Sequence, residues 1–519
     1  MFLNYLKEDD NYKRTENGAT VYKSTTSPLL DYFAQCGALR TRNENDKRVI
    51  FDEAYRENNL LATKILFYSR DIREGLGERE TFRVMLNHAA QFHPEAVIEN
   101  IDLIPEYGRY DDWYVLIGTQ CEADMWKAMK KRFDEDWELY IHKKPVSLLA
   151  KWIKTADASS KETRKLGILT AIKLGYRGEI KVFKRKVRDL RRHIKVTETY
   201  MSANKWSDIN YEAVPSKASF LYKKAFLRHD EERYTSYLDS VKKGEKKIHA
   251  ATLFPYEIIR EYRKKRGYDE TLELQWRNLP NYVGDDNALV VCDTSGSMTW
   301  GFNYPLDYSV GLAIYFAERN RGEFHNYFLE FSSESSLIKL RGETLRQKYD
   351  NVMRDARWGG STNLEAAFNK ILKTAVSHRV PQQDMPKSLI IITDMEVNNC
   401  VSYPSVALDR SAPAFWNPLF VRKINHEDEI VFYEAMKERY RSYGYEMPNV
   451  VFWNVSARHD TFHVKADNPN VQLISGGAAT QFKNLAGIIG KTPYAAMEEI
   501  INSERYAPIK IADMNKRRY

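Results

Sequence analysis

Residues 288–298 read Ala-Leu-Val-Val-Cys-Asp-Thr-Ser-Gly-Ser-Met, and no other stretch constrains the fold as much. Its apolar run between polar boundaries predicts a strand buried on both faces, the habit of parallel strands covered by helices. The strand runs directly into Asp293, Ser295 and Ser297, with Gly296 between the serines. Three short oxygen-bearing side chains thus stand on one turn at the carboxyl end of a central strand. In open α/β sheets that edge binds ligands. A carboxylate and two hydroxyls suit a hard divalent cation, above all Mg²⁺, which prefers oxygen donors and keeps several waters. Taken alone, D-x-S-x-S also reads as a ligand-free serine turn.

Two later segments favour the cation. Gly359-Gly360-Ser361-Thr362-Asn363 precedes a helical pattern of Leu364, Ala367, Phe368, Ile371, Leu372 and Ala375, which puts the Thr362 hydroxyl at a helix start. Residues 388–394, Ser-Leu-Ile-Ile-Ile-Thr-Asp, form a second apolar strand ending in a carboxylate. In order and type these elements resemble the metal-ion-dependent adhesion site of the von Willebrand factor A family. The resemblance implies Ser295, Ser297 and Thr362 as hydroxyl ligands, with Asp293 and Asp394 acting directly or through water. Glu396, two residues further on, reads as a solvated loop carboxylate, with reach to the site as the alternative.

Around these segments helix and strand alternate. Helices are predicted at 306–320, 364–378, 427–443 and 480–490, and strands at 325–331, 336–340, 388–393, 449–455 and 471–474. Such alternation with apolar strands means an α/β, doubly wound, Rossmann-like sheet. This domain spans 283–505, behind a turn-rich boundary at 279–286. An insertion at 396–428 follows the Asp394 strand and would hang over the cation as a partner-contact loop or lid.

At 519 residues the chain exceeds one core. Residues 1–26 hold few apolar positions and read as an irregular arm, and 506–519 read as a basic tail. Between them, 27–282 is predicted to be all α-helical. Helices are expected near 81–91, 94–104, 109–119, 122–139, 146–154, 161–175 and 178–194, joined by short connections. In the charged connection at 70–80, Gly75 and Gly77 can end one helix before the next begins. Paired short helices suggest HEAT-like repeats. No strict sequence period accompanies them, so an irregular bundle is the alternative.

Charge is unevenly distributed. The net charge is +8, yet residues 143–277 carry 33 Lys and Arg against 17 Asp and Glu, leaving the rest of the chain net acidic. A basic region within an acidic protein suggests a polyanionic partner. The helix at 178–194 concentrates it. Ile180, Phe183, Val187, Leu190 and Ile194 form an apolar stripe, and Lys181, Lys184, Arg185, Arg188, Arg191, Arg192 and Lys195 crowd the remaining surface. A second cluster is Arg263, Lys264, Lys265 and Arg266, and a third is Lys242, Lys243, Lys246 and Lys247. Phosphate contacts would use such charge with little sequence readout. A merely solvated cationic face is the alternative. Tyr200, Trp206, Tyr222 and Tyr262 could stack on bases but read more simply as core, and Asp230 reads as a helix cap beside His229.

The phrases Lys205-Trp206-Ser207-Asp208-Ile209-Asn210-Tyr211 and His229-Asp230-Glu231-Glu232-Arg233-Tyr234, with the 71–80 segment, resemble an uncharacterised helical family of plant and viral proteins. That family joins such a region to a von Willebrand-type carboxyl-terminal domain. The combination also resembles the Ro ribonucleoprotein (TROVE) family, whose helical repeats and A domain form a ring that binds small noncoding RNAs and single-stranded RNA ends. The resemblance implies an RNA-binding scaffold with a Mg²⁺ adhesion-type site for partner docking. One rival is a protein–protein adaptor gripping a partner's carboxylate, as A-domain subunits do with ring ATPases. The other is a metal-dependent nuclease built on Asp293, Asp394 and Glu396, disfavoured by the hydroxyl-rich donor set. No nucleophilic triad or phosphate-cradling Gly-Lys loop is present, so no enzyme is predicted. Four scattered cysteines, an early acidic amino terminus and no long apolar run point to a cytoplasmic protein without disulfides or membrane spans.

Overall fold

The structure, a computed structural model, describes residues 10–265, 267–284, 287–301, 304–398, 431–485 and 490–514. Two compact units form, and neither is a continuous stretch. One comprises Met1–Asn58, Phe254–Tyr268 and Asn281–Ser503, the other Asn59–Leu253, Asp269–Pro280 and Glu504–Tyr519. This corrects the single boundary expected near 282. Helices Pro28–Gln35, Glu44–Glu57 and Pro255–Lys264 belong with the sheet-containing unit, and residues from 504 onward belong with the helical one. Linear helical pattern cannot reveal such allegiance, because an apolar stripe is satisfied equally by a helix or a sheet.

The first unit is built on a six-stranded sheet. Its strands are β3 (Ala288–Asp293), β4 (Tyr327–Phe331), β5 (Ser335–Lys339), β6 (Ser388–Thr393), β7 (Asn449–Asn454) and β8 (Val471–Ser475), and the order across it is β5-β4-β3-β6-β7-β8. All neighbours are parallel except the edge strand β5, which runs antiparallel to β4. Every residue of β3 and β8 is buried, as the apolar run of β3 requires, and in β8 the polar Gln472 and Ser475 are buried as well. The order in which strands are added reverses between β3 and β6, which makes their carboxyl ends the topological switch point of the sheet. Asp293 ends β3 and Asp394 follows β6 directly.

Helix Pro305–Arg319 packs on β3, β4 and β6, and helix Leu364–His378 packs on β4 and β5. Helix Pro255–Lys264 lies against Pro305–Arg319 so closely that a Cβ on Gly311 would stand 3.0 Å from the Tyr256 nitrogen. Arg260 and Arg263 both close on the buried Asp307, each with an Nε–O distance of 2.8 Å. Helix Leu345–Asp355, not foreseen from sequence, starts from a capping box of Thr344 and Gln347. Of the helix expected at 480–490, the described part up to 485 is a 3₁₀ segment, Ala479–Leu485, and 486–489 lie outside the described residues.

The arm is not irregular throughout. β1 (Tyr12–Arg14) and β2 (Thr20–Tyr22) form an antiparallel hairpin, with Val21 fully buried. Tyr22 extends it by exchanging backbone bonds with Phe462 at 2.8 and 3.2 Å. So short a hairpin has no independent stability and depends on what it lies against, which linear pattern does not show.

In the helical unit, Glu80–Phe92, Glu122–Ile141, Lys161–Lys173 and Ile180–His193 form as expected, while 94–104, 109–119 and 146–154 shorten to single turns or 3₁₀ segments. The 70–80 connection folds back on its helix end. Leu76, Gly77 and Glu78 donate to the carbonyls of Tyr68, Asp71 and Ser69, with Gly77 at φ 68°. Asp71, fully buried, accepts from Arg505 Nε at 2.9 Å, Arg505 Nη2 at 3.1 Å and the Tyr506 hydroxyl at 3.3 Å. Among the described residues no helix is long and apolar enough to cross a membrane, and Cys36, Cys121 and Cys292 are buried.

Candidate metal centre and cationic helix

The turn after β3 brings its polar groups together as the pattern predicts. Ser295 N–H donates to Asp293 Oδ1 at 2.9 Å, and the Ser295 and Ser297 hydroxyls lie 3.1 Å apart. The Ser297 hydroxyl also hydrogen-bonds the Asp394 carboxylate. Thr393, ending β6, donates its hydroxyl to Asp293 Oδ2 at 2.5 Å. Both carboxylates are effectively sealed from solvent, with Asp293 at 0% and Asp394 at 1% exposure. Thr362 is held alongside by its own loop, where Gly360 O accepts from Gly296 N and Gly359 N donates to Thr294 O. That loop needs φ values of 82° and 77° at Gly359 and Gly360, which explains the glycine pair.

Two buried carboxylates beside neutral hydroxyls carry an electrostatic cost. Burial, and then the neighbouring Asp394, push Asp293 up to about 7, against the hydrogen bonds from Ser295 and Thr393. Burial also raises Asp394, opposed by the Arg458 guanidinium and the Ser297 hydroxyl. A divalent ion relieves this cost, and two carboxylates with three hydroxyls supply the hard oxygen donors Mg²⁺ takes. The donor set therefore fits the cation predicted from sequence.

Several residues at this edge were not foreseen. Arg458 Nη2 lies 3.0 Å from Asp394 Oδ2, and its Nη1 lies 2.9 Å from Glu16 Oε2. Glu16 sits at the hairpin tip, where Asn17 Nδ2 donates to Thr362 Oγ1 at 3.4 Å. Glu396 is not a solvated loop carboxylate. It is 1% exposed, accepting from Glu16 N at 2.9 Å and from Thr461 Oγ1 at 3.1 Å. Arg458 follows β7, whose carboxyl end shares the edge of β3 and β6, and that convergence is the only sequence-level hint of its place. The insertion at 396–428 lies outside the described residues from 399 onward.

On helix Ile180–His193, Phe183, Val187 and Leu190 are buried as predicted, with Ile180 and Ile194 partly so. Lys181, Arg185, Arg188, Arg192 and Lys195 are exposed. Arg191 corrects the pattern. Its guanidinium turns inward, donating to Ala150 O at 2.7 Å and Ile153 O at 3.0 Å. Lys184 pairs with Asp157 at 3.3 Å. Lys264 and Lys265 are exposed but belong to the other unit, and Arg266 lies outside the described residues. Arg263 is engaged by Asp307. Of the aromatics, Tyr262 is core and Trp206 stacks on His229 at 4.4 Å. Asp230 makes no side-chain cap, and instead accepts from Tyr211 and Arg233, each at 2.7 Å.

Residues 287–501, beginning one residue before β3, match a domain of unknown function (DUF7788). Residues 15–114 and 176–289 match a second domain of unknown function (DUF2828), which takes in the hairpin tip, the 70–80 connection and the cationic helix. The uncharacterized protein L728 of Acanthamoeba polyphaga mimivirus is similar along nearly the whole chain, 25% identical over 543 residues, covering 96% of this chain and 89% of that protein.

Proposed function

We propose that the protein is a non-enzymatic, cytoplasmic RNA-binding scaffold of the Ro (TROVE) kind, with a HEAT-like helical part and a von Willebrand A-type α/β part. The observation that carries this reading is the helix Ile180–His193. Its apolar stripe is spent on the core, while Lys181, Arg185, Arg188, Arg192 and Lys195 face solvent on one short segment. Such a face serves phosphate contacts, and the RNA bound would be a small noncoding or structured one. In the α/β part, Asp293, Ser295, Ser297, Thr362 and Asp394 would hold Mg²⁺ for docking. The ion would supply an electron-poor coordination position for a carboxylate oxygen. The direct test is RNA retention at low ionic strength against a chain with the five exposed cations neutralised. Loss of retention only in the variant supports the scaffold.

The second reading is a protein adaptor that uses the cation edge alone. Glu16 favours it, since a carboxylate already lies one guanidinium away from Asp394. Wild-type protein that ignores RNA at low salt yet binds Mg²⁺ would select this reading.

A further inference from the structure

The edge assigned to partner docking is already covered by this chain's own hairpin tip. Besides the Asn17–Thr362 bond and the pairs that the Glu16 carboxylate makes with Arg458 and His459, four contacts hold the tip, and none of these four uses the Glu16 carboxylate. Thr15 Oγ1 donates to Val397 O at 2.7 Å, Glu16 N to Glu396 Oε2 at 2.9 Å, and Asn17 Nδ2 to Glu396 O at 2.5 Å. Gly18 forms a β-bridge with Asn398, whose side chain in turn accepts from Thr362 N at 2.8 Å. The tip is thus bonded to the segment that follows Asp394 and to the loop carrying Thr362.

This anchoring fixes the backbone of Glu16 while leaving its side chain 44% exposed. Glu16 Oε2 and Asp394 Oδ2 share one positive group, Arg458, at 2.9 and 3.0 Å, while Glu16 Oε1 lies 3.0 Å from His459 Nε2. A guanidinium bridging two carboxylates occupies the electrostatic place a metal ion takes between the same groups. Asn17 takes only one lone pair of the Thr362 hydroxyl, which has a second to offer.

We propose that Glu16 is the carboxylate that completes the cation's shell in cis, and that Arg458 holds the ion's place between Glu16 and Asp394 until the ion displaces it. This rests on the reading of the edge as a cation site, and it names the occupant. The hairpin, and not an outside protein, is the first partner of the edge. Any external acidic partner must compete with Glu16.

The test titrates full-length protein with Mn²⁺, following free ion by electron paramagnetic resonance, and measures hydrogen exchange in residues 12–22 with Mn²⁺ or with EDTA. Glu16→Gln weakens Mn²⁺ by about tenfold, the scale of losing one supporting ligand group. Arg458→Gln strengthens Mn²⁺ binding, and Asp293→Asn removes it. Mn²⁺ slows exchange of the hairpin in wild type and Arg458→Gln, but not in Glu16→Gln. Equal Mn²⁺ affinity in Glu16→Gln and wild type, with hairpin exchange indifferent to the ion and Asp293→Asn still abolishing binding, overturns the in-cis ligand and leaves the cation site standing. Failure of wild type and Arg458→Gln alike to bind Mn²⁺ overturns both.

Discussion

Replacing Lys181, Arg185, Arg188, Arg192 and Lys195 together by Gln removes the exposed basic charge of helix Ile180–His193 and of the residue just past its end, and leaves the buried stripe intact. By sequence, seven cationic side chains face outward on this segment. The structure leaves five, because Arg191 is committed to the Ala150 and Ile153 carbonyls and Lys184 to Asp157. Each phosphate contact to a single strand steepens the fall of log K with log salt by about 0.7, so five contribute a slope of about 3.5. Over a fourfold rise in salt, from about 50 to about 200 mM, wild type should lose about a hundredfold more affinity than the variant. Filter retention or fluorescence anisotropy with a labelled single-stranded RNA, repeated at four salt concentrations, reads both slopes. Each substitution is at the surface and should change stability by less than about 0.5 kcal/mol, so comparable melts exclude misfolding as the cause. A variant with the wild-type slope, or a wild type with none, refutes the assignment of this face to phosphate.

Arg191→Met, by contrast, should leave the salt slope unchanged and cost about 2 kcal/mol in urea unfolding, since two charge-assisted bonds to backbone carbonyls are lost. Asp71→Asn breaks the buried pair with Arg505 and should destabilise by about 3 kcal/mol in the same assay; a change below about 1 kcal/mol would mean the returning carboxyl-terminal segment is not held this way. Asp293 sets a pH dependence. Its folded value, pushed up to about 7, lies above the ordinary 3.8, so as pH rises the unfolded chain releases that proton first. Metal-free protein should therefore lose stability between about pH 4 and about pH 7, and both Asp293→Asn and excess Mg²⁺ should flatten that decline. A melting temperature in EDTA that stays level or climbs across this interval in wild type contradicts the burial of two like charges at the edge.

Local pattern was sufficient wherever a residue's role depends on its near neighbours in the chain. The runs 288–292 and 389–392 are apolar throughout, so they had to be covered on both sides, and adjacent parallel strands deliver Asp293 and Asp394 to one edge. The stripe of Phe183, Val187 and Leu190 likewise marked the buried side of its helix before any neighbour was known.

Tertiary structure decided what is satisfied from a distance. Arg191 looks like its cationic neighbours, and only the position of residues 150 and 153 turns it inward. Glu396 looks solvated until Glu16, 380 residues away, donates to it. Arg458 reaches Asp394 across 64 residues because β6 and β7 are adjacent, and adjacency of strands is a property of the sheet. Hydrophobic period is written along the chain and can be read there. A hydrogen bond or ion pair between remote segments depends on which surfaces meet, and that is settled only when the chain closes on itself.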